Sequence, residues 1–140
     1  LVAVNLSDGS PRWKKLLPGG VVSSVAVKGS LVISTATDGV VRANDVATGD
    51  LKWTYPAGAP FFAGPAVAGD VVYAGDLKGM VHAIGLVDGK GAWKLDLNST
   101  ATKDAMIYGS PIVHEGKIYV GTCNLSAAGK GQQAIVCIGE

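Results

Sequence analysis

Short runs of β-branched and aromatic residues recur along the chain, bounded by glycine or charge: SLVIST at 30–35, DVVYAG at 70–75 and GKIYVG at 116–121. Runs of this composition and length are strand signals. After the first two come turns, Thr37-Asp38-Gly39 and Leu77-Lys78-Gly79, and the chain re-enters apolar runs, VVRAND at 40–45 and MVHAIG at 80–85. Glycine at the positive-φ position of such turns suits hairpins. A shorter stretch precedes each pair: SSVAV at 23–27, AGPAV at 63–67 and GSPIV at 109–113. Apolar positions nowhere follow a helical period, so no helix is expected. The pattern predicts four strands per unit, in the second unit A near 23–27, B near 30–35, C near 39–45 and D near 51–55.

The units repeat. Trp13, Trp53 and Trp93 are spaced forty residues apart, as are Gly9, Gly49 and Gly89, and Ala3, Ala43 and Ala83. Three registers agreeing at one period outweigh any single motif, and a four-stranded unit of that length is the mark of a β-propeller blade. The glycine turn then joins strands C and D, and the tryptophan opens D. Its ring is expected to lie between neighbouring blades, over the alanine and the turn of an adjacent repeat, where burial contributes about 2–4 kcal/mol.

Residues 43–53, ANDVATGDLKW, match every fixed position of Ala-x-Asp-x-x-Thr-Gly-x-x-x-Trp, with Ala43, Asp45, Thr48, Gly49 and Trp53. The phrase resembles the tryptophan-docking motif of quinoprotein (pyrroloquinoline quinone)-type β-propellers. Residues 3–13 and 83–93 keep Ala, Gly and Trp but carry Asp8 and Asp88 in place of threonine, and Asn5 and Gly85 in place of aspartate. The resemblance covers the whole chain and speaks for the fold rather than for an activity.

The expectation is therefore an all-β chain of about three propeller blades: a partial blade at 1–16, blades at 23–55 and 63–97, and a partial blade at 109–140. That makes three A, three B, three D and four C strands, an unequal set read as part of a larger propeller of up to eight blades, cut mid-blade at both ends. The remaining blades, or another chain, would complete the ring. Composition agrees: 48% hydrophobic and 16% charged residues suit a packed domain. The formal net charge of +1 gives no basic face for nucleic acid. Every candidate apolar run is interrupted before transmembrane length.

Two loops break the rhythm. From Trp53 to Pro65 is twelve residues but from Trp93 to Pro111 is eighteen, and from Gly75 to Ala83 is eight but from Gly121 to Cys137 is sixteen. The first is a D–A loop and the second a B–C loop, and in an antiparallel meander both emerge on one face. Enlarged loops are where binding resides, with neutral growth as the alternative. Candidate contacts on this face are Asn98, Lys103, Asp104, Tyr108, Asn124 and Lys130. Asp38, Asp76 and Lys78 belong to the regular B–C turns, and Phe61 and Phe62 are expected to cap the core, with an apolar contact as the alternative. His82 and His114 sit in unrelated places and read as strand and turn residues, with no metal-like spacing around either. No catalytic set can be defended.

In the resembled family, enzymes bind pyrroloquinoline quinone with calcium, a catalytic aspartate, a stacking tryptophan and, in many, a disulfide between neighbouring cysteines. Here no two cysteines are adjacent, and docking accounts for all three tryptophans, so no cofactor is expected in this segment. The family's non-enzymatic members use the same blades as scaffolds, among them the lipoprotein of the outer-membrane β-barrel assembly machinery. Cys123 and Cys137 flank the enlarged B–C loop. A bridge would stabilise by roughly 3 kcal/mol, but the regular register sets Cys137 against Tyr119, and two free thiols explain the pair equally well. Asn5, Asn98 and Asn124 lie in Asn-x-Ser/Thr sequences, which with the cysteines lean towards an extracytoplasmic location, periplasmic or secreted. The expected role is a non-catalytic module that binds a protein or ligand through the face carrying loops 94–109 and 122–133. The rival is a segment of a quinone-dependent alcohol or sugar dehydrogenase, with quinone and calcium as cofactors.

Overall fold

The computed structural model describes residues 1–100, 103–125 and 133–139. It is nearly all β, with strands joined in sequence order into antiparallel meanders. The first sheet pairs β1 (Val2–Val4) with β2 (Pro11–Lys14). The second runs through β3 (Ala26–Lys28), β4 (Leu31–Thr35), β5 (Val40–Asp45) and β6 (Leu51–Pro56). The third repeats the order with β7 (Ala66–Ala68), β8 (Val71–Gly75), β9 (Met80–Gly85) and β10 (Gly91–Asp96). The fourth holds β11 (Ile112–His114), β12 (Lys117–Thr122) and β13 (Ala134–Ile138). These are β-propeller blades, about three in all. The A strands β3, β7 and β11 lie side by side at the inner edge.

The hairpin between strands C and D is built alike three times. Asn5, Asp45 and Gly85 each accept the amide of the turn glycine, and each donates its own amide across the turn to the carbonyl of Ser10, Asp50 or Lys90. In the second blade Asp45 Oδ1 also takes the amides of Ala47 and Thr48. Gly85 lacks that carboxylate, and Asp88 leans in instead: a Cβ on Gly85 would lie 2.6 Å from Asp88 Oδ1. One residue before each tryptophan the register shifts, leaving Arg12, Lys52 and Ala92 without a cross-strand partner. This bulge sets the tryptophan opposite the repeat's own alanine, Trp13 opposite Ala3, Trp53 opposite Ala43 and Trp93 opposite Ala83. The alanine is thus the same blade's cross-strand neighbour and not, as the sequence suggested, a surface of the next repeat.

The rings of Trp13 and Trp53 reach the next sheet. The Trp13 indole N–H donates to Val46 O at 2.9 Å, and that of Trp53 to Leu86 O at 2.9 Å. Each ring lies against the following turn's glycine so closely that a Cβ on Gly49 or Gly89 would fall 2.7 or 2.6 Å from the indole Cδ2. Trp93 departs from the expectation that all three dock. Its ring is 41% exposed, tilted against Tyr73 at 6.0 Å, with no acceptor for its N–H among the described residues. Among the described residues no C–D turn follows β13 to receive it.

Alternation in strands B and C sends Ile33, Val41, Val72 and Ile84 inward to join Trp53 and Phe61 between the second and third sheets. A second core of Val81, Leu97, Ile107, Ile118 and Val120 joins the third sheet to the fourth. The expectation of no helix is corrected by one turn, α1 (Leu97–Thr100), inside the enlarged D–A loop. Asp96 makes it: Oδ1 caps the Asn98 amide while its carbonyl accepts the Ser99 and Thr100 hydroxyls.

Candidate functional site

The two enlarged loops meet on the predicted face. Met106, in the β10–β11 loop, pairs antiparallel with Cys123, just past β12, through both backbone bonds. The Asn124 amide donates to Asp104 O at 3.0 Å. Asn98 is a latch rather than an offered contact, since its Nδ2 donates to Lys78 O in the regular B–C turn and its Oδ1 accepts the Ala105 amide. Gly79 leaves room for this latch, because a Cβ there would lie 2.6 Å from Ala105 O. Lys103 and Asp104 remain exposed, Asp104 at φ +55°. Tyr108 is half-buried, its hydroxyl near Met106 Sδ and its ring edge-on to Phe62 at 5.9 Å. Phe61 and Phe62 divide: Phe61 is sealed in the core, whereas Phe62 is 40% exposed. Lys130 lies outside the described residues.

Cys123 and Cys137 are not joined in the structure, and of the two readings left open the bridge is not the one formed. Cys137 pairs with Tyr119, and Cys123 sits four residues further along, about 13 Å at strand rise, whereas a disulfide spans Cα atoms less than about 7 Å apart.

Beneath the face lies a buried polar chain that the sequence reading treated as separate turn and strand residues. Asp76 and His82 are each 1% exposed, with Asp76 Oδ2 3.0 Å from His82 Nε2. Asp76 Oδ1 accepts the Lys78 and Met80 amides. A carboxylate only accepts, so Nε2 carries the shared proton and, in the neutral ring, Nδ1 accepts the Tyr55 hydroxyl at 3.2 Å. Burial, followed by the negative charge of Asp76, raises the Tyr55 pKa above its ordinary value. Tyr55 and Phe61 both meet the imidazole edge-on. The equivalent strand C position in the second sheet is Arg42, whose guanidinium takes both Asp38 oxygens. That hydrogen bonding holds the Asp38 carboxyl below its usual range. The forty-residue step from Arg42 to His82 was the available signal: both are basic residues on a strand that is otherwise buried.

A family model described as "Outer membrane protein assembly factor BamB" matches residues 1–135. The chain belongs to that family. BamB of Burkholderia pseudomallei (strain K96243) is 37% identical over 93 residues, covering 62% of this chain and 24% of the relative. The crystal structure of BamB from Moraxella catarrhalis superposes with a TM-score of 0.74 at 20% identity, over 94% of this chain and 41% of that one. A quinohemoprotein alcohol dehydrogenase from Pseudomonas putida HK5 gives a TM-score of 0.66 at 29% identity, over 79% of this chain and 18% of that one. The chain thus spans about a quarter of the length of the curated BamB it matches. BamB and the dehydrogenase share with it the quinoprotein-type propeller repeat, the resemblance carried by residues 43–53.

Both Asp76 oxygens are taken within the fold, and no group of three His, Cys, Asp or Glu side chains able to hold a metal occurs among the described residues.

Proposed function

We propose that this chain is a propeller segment acting as a non-catalytic protein-binding scaffold, in an extracytoplasmic compartment, with partners engaged in outer membrane protein assembly. The observation that carries the reading is the tied pair of enlarged loops. The Met106–Cys123 bridge and the Asn98 latch organise one face from two loops, and this face presents Lys103, Asp104, Phe62 and Tyr108. A preorganised polar rim around aromatic side chains is the anatomy of a protein interface. The assembly role comes from the name of the BamB relatives. Docking of Trp13 and Trp53 on the neighbouring turns is proposed to hold this face rigid. Among the described residues no helix is long and apolar enough to cross a membrane.

The test replaces loops 94–109 and 122–133 with short regular turns and quantifies, after crosslinking, the membrane-assembly proteins that co-purify. Loss of those proteins from a variant that still unfolds cooperatively supports the reading, and unchanged recovery rejects it. The likeness to the quinohemoprotein alcohol dehydrogenase favours a second reading, a segment of a quinone-dependent dehydrogenase. Reconstitution with pyrroloquinoline quinone and calcium, followed by dye reduction on alcohols, decides between the two.

A further inference from the structure

The chain has two methionines, Met80 and Met106, and they lie in unlike surroundings. Met80 opens β9 with its amide held by Asp76 Oδ1, and no donor meets its sulfur among the described residues. Met106 lies in the β10–β11 loop, where the backbone is tied at three successive residues. The Ala105 amide donates to Asn98 Oδ1, Met106 exchanges both backbone bonds with Cys123, and the Ile107 amide donates to Asp76 O at 3.1 Å. Ala105 and Ile107 are sealed in the core beside Leu97 and Val120. In such an extended stretch, Met106 and Tyr108 alternate to the opposite side, and both are half-buried.

The Tyr108 hydroxyl donates to Met106 Sδ at 3.9 Å, and its ring stands edge-on to Phe62 at 5.9 Å. A thioether sulfur is a weak acceptor. The gap suits a stronger one. An O–H···O bond spans about 2.7–2.8 Å, so a single oxygen bonded to Sδ fits between sulfur and hydroxyl. The path bends at that oxygen, and the tied backbone need not move. This is the geometry of a methionine sulfoxide, a polar group whose sulfur is chiral. Only one of its two epimers places the oxygen on the Tyr108 side.

We infer that Met106 is a stereoselective oxidation site, where a hydroperoxide converts the thioether to the sulfoxide epimer held by the Tyr108 hydroxyl. The sulfur lone pair on the Tyr108 side attacks one peroxide oxygen, and the S–O bond forms as the O–O bond breaks. The leaving oxygen keeps the bonding pair, takes the proton of the transferred oxygen and departs as water or an alcohol. Sulfur is oxidised by two electrons and the peroxide is reduced by two. Tyr108 keeps its own proton and donates its hydrogen bond to the transferred oxygen as negative charge gathers there. The product sets a polar oxygen in place of an apolar sulfur at the junction of the two enlarged loops. Reductases specific for each epimer restore the thioether. This chemistry is the same whether or not that face engages a partner.

The test treats the intact protein with hydrogen peroxide and follows both methionines over time by mass spectrometry of a digest, with Met80 as the internal standard. Portions of the digest then go to reductases specific for one or the other sulfoxide epimer. One epimer should exceed the other about tenfold at Met106. Tyr108→Phe keeps the ring beside Phe62 and removes only the donor. It should slow oxidation of Met106 relative to Met80 about fivefold, the worth of one hydrogen bond, and bring the epimers towards parity. Near-equal epimers at Met106 in the unaltered protein would overturn the inference, as would a relative rate or an epimer ratio that Tyr108→Phe leaves unchanged.

Discussion

Tryptophan side chains that look interchangeable along the sequence differ in what surrounds them. Trp53 is 8% exposed, bonded to Leu86 O and pressed on Gly89, whereas Trp93 is 41% exposed. Trp53→Ala should therefore destabilise by about 3–5 kcal/mol, and Trp93→Ala by less than about 1 kcal/mol, as measured by chemical denaturation. Equal effects would show that the ring contact with the next turn contributes nothing. Gly9 and Gly89 share a positive φ, +71° and +68°, but a Cβ meets nothing at Gly9 and the indole at Gly89. Gly89→Ala should thus cost more than Gly9→Ala, and the difference measures the stacking alone. Asp38 supplies a pH signature. Its carboxyl is held below the ordinary value, chiefly by hydrogen bonding to Arg42. Its contribution to stability is therefore complete above about pH 4 and is lost as the pH falls through the depressed value. The stability gap between the protein and Asp38→Asn should be constant near neutrality and shrink in acid; a gap that grows as the pH falls contradicts the pairing.

At the scale of elements, the strands were legible because period-two patterning and β-branched runs are local signals. The shorter A strands begin three residues later than expected in each unit, as with Ala26–Lys28 against 23–27, because their pairing is brief. The helical turn α1 was not legible. Four residues carry no periodicity, and its cause is the Asp96 cap. The loop holding α1 depends on Asn98, which joins two loops that are twenty residues apart at Lys78. Asn98→Ala should leave the Ala105 amide unpaired and speed hydrogen exchange over residues 97–106 by about tenfold, with global stability changed by about 1–2 kcal/mol. Unchanged exchange would mean that the loop is held by Leu97 and Ile107 in the core alone.

For the molecule as a whole, the seams between sheets decide rigidity, and polar groups share with apolar packing in closing them. The Asp76–His82–Tyr55 chain closes one of them. Tyr55→Phe removes the hydroxyl and leaves His82 Nδ1 buried without a donor, so it should destabilise by about 1–3 kcal/mol. A neutral outcome in thermal unfolding would show that packing of the ring suffices. Among the described residues Trp93 is 41% exposed and β13 is the end strand of its sheet, an edge open to pairing.

The forty-residue repeat, and through it the fold class, the strand order and the family, could be read from the chain alone. Repeats imprint themselves as register, and register survives without coordinates. The enlarged loops were legible for the same reason, as departures from that register. What converges across the seams was not. His82 and Asp76 are six residues apart, but Tyr55 reaches them from another sheet, and the exposure of Trp93 depends on which turn lies opposite it. Contacts between sheets are set by three-dimensional juxtaposition of side chains distant in sequence, and only the packed structure decided them.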